Sequence, residues 1–341
     1  MKWLGKLALA VLVPLLALGL LEVALRAYAR MTSQQRIITA DSVLGWRLIP
    51  NSRKIYRQET QPYLITINSK GLRDREHSYD KPPGIFRIVV VGDSFVFGAG
   101  GVDPPHRFTD ILQSSLRNVE VINMGIPGYG ADQEYLYLRE EGLKYHPDLV
   151  LLCAFFNDFS ESFSTINPSI GRPKGYFSIN GNSLDFHPPS FSLFYRVSQY
   201  SYVLGLADLG LGKLSATYWN AQRKPHGVLD EQERLATFRQ IYVSAAELCK
   251  QHGSAFVLVY LPFQNQYQKS VIQQTMDNLA ASYGIKALDL MDPVHQAHRA
   301  RRAYFEHDIH LNEYGNQVVA QLILQYLASN RLLPSATQAG N

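Results

Sequence analysis

The chain opens with an apolar run, Leu7 to Leu21, that carries no polar side chain; after Glu22, Val23-Ala24-Leu25 extends it to Arg26 and Arg30. About 20 residues cross a hydrocarbon core. Trp3 and Lys6 before the run, and Arg26 and Tyr28 after it, suit the two interfaces. The pattern predicts an uncleaved signal anchor over residues 1–30 that crosses the membrane once. Ala27-Tyr28-Ala29 has the small-x-small form of a processing site, so a cleaved leader is the rival reading, and a buried hydrophobic helix is a third. Basic residues on both sides leave the charge asymmetry nearly even. A first hydrophobic segment tends to export the chain beyond it, which puts the remainder on the extracytoplasmic side of the inner membrane.

Residues 31–85 are more polar. Tyr63-Leu64-Ile65-Thr66-Ile67-Asn68 alternates like a strand and ends in a turn at Ser69-Lys70-Gly71, and Lys81-Pro82-Pro83-Gly84 then breaks the chain. This stretch reads as an extension packed on the main domain. From Phe86 the period changes. Short Val-, Ile- and Leu-rich runs at Arg87–Val91, Val119–Asn123, Leu149–Phe156, Ala255–Leu261 and Ile285–Leu288 alternate with helical spacing at Phe108–Leu116, Ala131–Lys144, Leu229–Gln251, Ser270–Tyr283 and Tyr314–Ala328. Such a rhythm predicts a parallel sheet covered by helices on both faces. Residues 160–225 break it with Ser, Pro, Gly and aromatics, and are read as an insertion in a main domain of residues 86–334. Its aromatics argue against disorder, and it either roofs the active-site end of the sheet or forms a surface embellishment. Residues 335–341 are expected to be a disordered tail.

Composition narrows the function. With 341 residues and 46% hydrophobic content the chain can bury a full core. A net charge of +4 with scattered Lys and Arg argues against nucleic acid as a partner. Cys153 and Cys249 lie in an apolar run and a helical pattern, where buried free thiols are the common outcome. A disulfide between them stays open, and their spacing matches no zinc or Cys-x-x-Cys signature.

Four segments put reactive residues where strands end, the place for a site in an open parallel sheet. Gly92-Asp93-Ser94 follows the first strand; taken alone, the serine could be a helix cap. The Gly-x-Ser-x-Gly elbow is absent, because Val96 stands where its second glycine would be. Gly125-Ile126-Pro127-Gly128-Tyr129-Gly130 follows the second strand and can turn backbone N–H groups into a site. Asn157 ends the third strand, where its amide could donate to an oxyanion or merely cap a turn. His307-Asp308-Ile309-His310 precedes the last helix.

In this order and at these strand ends, the four segments resemble the SGNH/GDSL hydrolase family over Phe86 to Ala328. Asn68-Ser69-Lys70-Gly71-Leu72-Arg73 is similar to a segment found in bacterial members that carry an N-terminal membrane helix. The resemblance implies a flavodoxin-like three-layer α/β/α sandwich around a central parallel sheet. It also implies Ser94 as nucleophile, His310 as its base, and an oxyanion hole from the Ser94 and Gly128 N–H groups and the Asn157 amide. The family's commonest acid lies three residues before the histidine. Here that position is His307, so the acid falls to Asp308, two residues before His310; failing that, the site would run as a dyad. The expected reaction is acyl-ester hydrolysis on an envelope polysaccharide or lipid through an acyl-enzyme, without cofactor or metal. An O-acyltransferase using the same residues is the main alternative. A metal hydrolase built on His295, His298, His307, Asp308 and His310 lacks a recognised ligand spacing, and a non-catalytic carbohydrate or lipid binder would leave Ser94, Asn157 and His310 unused.

Overall fold

The computed structural model describes residues 2–56, 62–167, 170–208, 210, 229–266 and 268–334. The tail at 335–341 and the part of the insertion at 211–228 lie outside the described residues.

Helix α1 (Lys2–Met31) is continuous through Pro14. Its segment Leu9–Met31 has a mean hydropathy of 2.1, and the apolar window within it is left unburied by the rest of the chain, unlike a core helix. The chain then makes two antiparallel pairs, β1 (Ile38–Asp41) with β2 (Gly45–Leu48) and β3 (Arg53–Tyr56) with β4 (Tyr63–Thr66). Their inward side chains Trp46, Leu48, Ile65 and Ile67 are buried and join the main core. The Trp46 Nε1–H donates to the Pro127 carbonyl at 3.3 Å, and the Tyr129 hydroxyl donates to the Trp46 carbonyl at 2.6 Å. The extension is thereby tied to the loop that carries Gly128.

The main sheet holds β5 (Phe86–Gly92), β6 (Val119–Gly125), β7 (Leu149–Ala154), β10 (Ala255–Tyr260) and β11 (Lys286–Asp289), in the spatial order β11-β10-β7-β5-β6. All neighbours run parallel. Strand period two sorts the side chains into two cores. Val89, Val91, Ile122, Met124, Val150, Leu152, Leu258 and Tyr260 face one layer. Ile88, Val90, Val121, Leu149, Leu151, Cys153, Val257 and Val259 face the other. Helices α4 (Ala131–Glu140), α7 (Glu231–Gln251) and α8 (Val271–Tyr283) cover the first face; α3 (Phe108–Ser115), α9 (Met291–Ala300) and α10 (Glu313–Ser329) cover the second. This is the three-layer sandwich that the β/α rhythm predicts. The winding reverses between β5 and β7, so their carboxyl ends open the crevice where such folds bind ligands.

Most boundaries shift by a residue or two from the sequence reading, helix α9 is not among the expected helices, and two differences alter the picture near the site. The helix expected over Ala131–Lys144 stops at Glu140 and continues as a 3-10 turn, Gly142–Tyr145, packed under Leu138 and Met124. The third core strand ends at Ala154 rather than Phe156, which leaves Phe156 and Asn157 in a turn before the short α5 (Asp158–Glu161). Within the insertion, β8 (Tyr176–Asn180) and β9 (Ser183–His187) form a hairpin whose Phe177 is buried in the first core, and α6 (Leu193–Ser198) follows. Cys153 and Cys249 are both buried and unpaired.

Candidate active site

Strand β5 delivers its carboxyl end straight into the one-turn helix α2 (Ser94–Phe97). Asp93 caps that helix, its Oδ1 accepting the Phe95 N–H at 2.8 Å. The capping role open to Ser94 is therefore taken by its neighbour, and the Ser94 hydroxyl is available elsewhere. It donates to His310 Nε2 at 2.8 Å. Close by, Gly125 ends β6 against α2; a β-carbon there would sit 2.1 Å from the Phe97 nitrogen, so only glycine lets the two backbones meet.

His310 comes from a loop stapled at its base. Tyr304 and Leu311 form an antiparallel bridge, the Phe305 N–H donates to the His310 carbonyl at 3.1 Å, and Asn312 caps α10 by accepting the Gly315 N–H at 3.0 Å. The Asn312 amide also donates to the carbonyls of Arg302 and Tyr304. Asp308 Oδ1 accepts both the backbone N–H of His310, at 2.8 Å, and the ring Nδ1–H. With Nδ1 as donor, Nε2 carries the lone pair that faces Ser94. Burial pushes the Asp308 carboxyl up, but these hydrogen bonds and the adjacent imidazole outweigh it and hold the group below its ordinary range. His307, at the family's commonest acid position, is exposed. His295 Nε2 meets the Phe263 carbonyl and His298 Nδ1 accepts the Ala303 N–H, so both are engaged in local structure.

The remaining two sequence-predicted residues stand at the neighbouring strand ends. Gly128 lies in the turn after β6 with φ +80, a left-handed conformation that side chains disfavour. Its carbonyl accepts the Asn167 amide at 2.7 Å, and its N–H makes no hydrogen bond among the described residues. Asn157 precedes α5; its Oδ1 is buried without a partner among the described residues. The Phe95 ring joins the two sides of the crevice, 3.9 Å from Phe155 and 4.9 Å from His310 between centroids. A cavity of about 280 Å³ at the seam between the extension and α3, lined by Leu64, Arg73, Arg75, Arg107 and Gln113 among others, shares no residue with this constellation.

A family model described as GDSL-like Lipase/Acylhydrolase family matches residues 90–318, well over half of the chain and inclusive of Ser94, Gly128, Asn157, Asp308 and His310. The chain belongs to the GDSL-like lipase/acylhydrolase family. The protein is accordingly a serine ester hydrolase. Comparison with curated proteins found no match. Among solved structures, the chain is similar to a member of the lipolytic protein G-D-S-L family from Veillonella parvula (14% identity, covering 71% of this chain and 98% of that one, TM-score 0.43). It is also similar to a lipase/acylhydrolase from Enterococcus faecalis (16% identity, 72% and 97% covered, TM-score 0.41). A third is a catalytic mutant of an acetylxylan esterase from Geobacillus stearothermophilus (13% identity, 70% and 93% covered, TM-score 0.42).

Two features of this GDSL acylhydrolase go beyond the sequence reading. First, Arg73, which closes the Asn-Ser-x-Gly-x-Arg stretch, is buried and donates to the carbonyls of Phe97, Gly98 and Val102 at 3.0, 2.7 and 2.9 Å. The extension thus clamps the backbone that leaves the Ser94 turn. Second, a group of carboxyl side chains is buried behind the site. Asp93 is pushed up to about 7, first by burial, while the nearby His310 favours its anion. Asp158, whose Oδ2 accepts the Phe155 N–H at 2.9 Å, is raised well above its ordinary range by burial and then by Asp93. Glu134 is raised likewise by burial and by Asp158. Lys174 answers part of this charge: its ammonium, fully buried, pairs with Asp132 and donates to the Glu161 carbonyl at 2.9 Å. The signal was present in Asp132-Gln133-Glu134, polar residues at the start of a helix whose first turn is buried throughout.

Proposed function

We propose that the protein cleaves a carboxylic ester through an acyl-enzyme on Ser94. The observation that carries this reading is the relay Asp308, His310, Ser94, joined by two consecutive side-chain hydrogen bonds. As Ser94 Oγ attacks the ester carbonyl carbon, His310 Nε2 takes the hydroxyl proton, and Asp308 holds the ring in the required tautomer and stabilises the cation that forms. The oxyanion is met by the Ser94 and Gly128 N–H groups and the Asn157 amide, each donor being worth roughly 3 kcal/mol of barrier. His310 then returns the proton to the leaving alcohol. A water, deprotonated by the same ring, attacks the acyl carbonyl and restores Ser94.

In this reading residues 1–30 anchor the enzyme in the inner membrane, residues 31–85 pack on the main domain of residues 86–334, and the site faces the cell envelope, where an acylated polysaccharide or lipid is the substrate. The unburied apolar surface of α1 supports the anchor. Ser94→Ala is expected to abolish hydrolysis of short p-nitrophenyl esters and labelling by a fluorophosphonate while leaving the fold intact. Retention of either activity by a folded variant would discard Ser94 as nucleophile. Product analysis with added sugar acceptors separates water from a hydroxyl as the final acyl acceptor.

A further inference from the structure

Outside α1, ten large hydrophobic side chains are exposed among the described residues, and five of them, Leu193, Phe194, Val197, Tyr200 and Leu206, fall within a fourteen-residue stretch of the insertion. Leu193 and Tyr200 are 77% and 81% exposed. Exposed apolar side chains concentrated in so short a stretch mark a candidate binding surface.

This stretch is held by α1 and by Arg36 just beyond it. Glu22, the one carboxylate in the apolar helix, accepts the Ser201 hydroxyl at 2.9 Å and the backbone N–H groups of Tyr202 and Val203 at 3.0 and 2.9 Å. Arg26, paired with Glu22 at 2.7 Å, reaches the Tyr200 carbonyl, and both Arg26 and Arg36 stand over the Tyr202 ring. Arg36 also donates to the carbonyls of Ser198, Gln199 and Ser201. Glu22 lies about 24 Å along the helix axis from Lys6, several ångströms less than the roughly 30 Å of a hydrocarbon core, and Arg26 lies about 30 Å from Lys6. If α1 spans a membrane, the clamp falls at the interface, where Tyr side chains and cations prefer to sit. The charges agree: residues 22–36 and 193–208 carry Arg26, Arg30, Arg36 and Arg196 against Glu22 and Asp208.

We propose that residues 193–206 are a foot that rests in the lipid interface, clamped to the anchor helix by Glu22. This rests on the reading of α1 as a membrane span. The foot is also coupled to the site: the Arg172 guanidinium donates to the Tyr195 hydroxyl at 3.1 Å, the Arg172 carbonyl accepts the Asn167 N–H at 2.8 Å, and the Asn167 amide donates to the Gly128 carbonyl at 2.7 Å. A seated foot therefore holds the Gly128 turn at the bilayer surface, suited to an ester presented there by an amphiphile.

The full chain is reconstituted in vesicles of phosphatidylethanolamine and phosphatidylglycerol, with a single added cysteine carrying an environment-sensitive fluorophore; Cys153 and Cys249 are buried. Labels at Val197→Cys and Leu206→Cys are expected to be quenched by headgroup-proximal nitroxide lipid and protected from aqueous iodide. A label at Leu16→Cys is expected to respond to a deep nitroxide. Adding Glu22→Gln to the Val197→Cys and Leu206→Cys proteins should cut their lipid quenching at least twofold, and adding it to Leu16→Cys should leave that signal unchanged. A Leu16 label quenched in the bilayer beside foot labels open to iodide would overturn the foot and spare the anchor. A Leu16 label untouched by lipid would overturn both, and foot labels indifferent to Glu22→Gln would overturn the clamp.

Discussion

The assignment of the acid is tested by Asp308→Asn. Asp308 contributes two things: an acceptor that selects the Nδ1–H tautomer and a negative charge beside the ring when it becomes a cation. An asparagine rotated to donate its amide to Nδ1 would move the ring proton to Nε2, where it can no longer accept from Ser94. The charge effect can be sized. Two unit charges about 4 Å apart interact by ~4 kcal/mol at an effective dielectric near 20. Both side chains retain 14% exposure, which trims that figure to about 3 kcal/mol. Adding the tautomer penalty puts the barrier ~3–5 kcal/mol higher, a loss of roughly 10²–10⁴ in kcat. KM should change little, because Asp308 acts through His310 and not on substrate. The comparison is His307→Asn, which removes an exposed ring and is expected to stay within about threefold of the parent. The assay is steady-state hydrolysis of a p-nitrophenyl ester, with circular dichroism to show that both variants are folded. If Asp308→Asn keeps kcat within about tenfold while His307→Asn is inactive, position 307 is the functional one and the relay is misassigned.

The buried carboxyl of Asp93 makes a pH prediction of definite sign. Its folded pKa, about 7, lies above that of an unfolded aspartate, so the folded state keeps a proton that the unfolded state has lost. Stability should therefore fall as pH rises from the ordinary carboxylate range through about 7. Asp93→Asn keeps the helix-capping oxygen and removes the titration, so its Tm should decline less than the parent's over that window, while a parallel decline in both proteins would count against a protonated Asp93. Gly128→Ala must adopt φ +80 and place its β-carbon 3.1 Å from Ile170 Cδ1. It should lose about 1–2 kcal/mol in urea unfolding and at least tenfold in kcat. An added Ile170→Ala should not restore the rate, since it relieves the contact but not the backbone.

The sequence alone specified the sheet and, to within a residue or two, where its strands end. Continuous Val, Ile and Leu runs separated by helical spacing can be buried only on both faces of a parallel sheet, and that topology sends Ser94, Gly128 and Asn157 to its carboxyl edge. It also specified the apolar helix, because that run needs no partner to be recognised. The tertiary structure decided what depends on pairs distant in the chain. Whether residue 307 or 308 faces the base is a matter of loop geometry: the 304–312 loop, closed by its bridge and by Asn312, turns Asp308 inward and His307 out. Arg73 was marked only as the end of the Asn68–Arg73 stretch, its task unstated until the loop after Ser94 folded over it, and the acids at 93, 134 and 158 were ordinary carboxylates until packing removed their water. Local pattern determines which residues reach a face. Long-range packing decides what each of them meets there, because desolvation and hydrogen-bond partners come from segments that carry no sequence signal for one another.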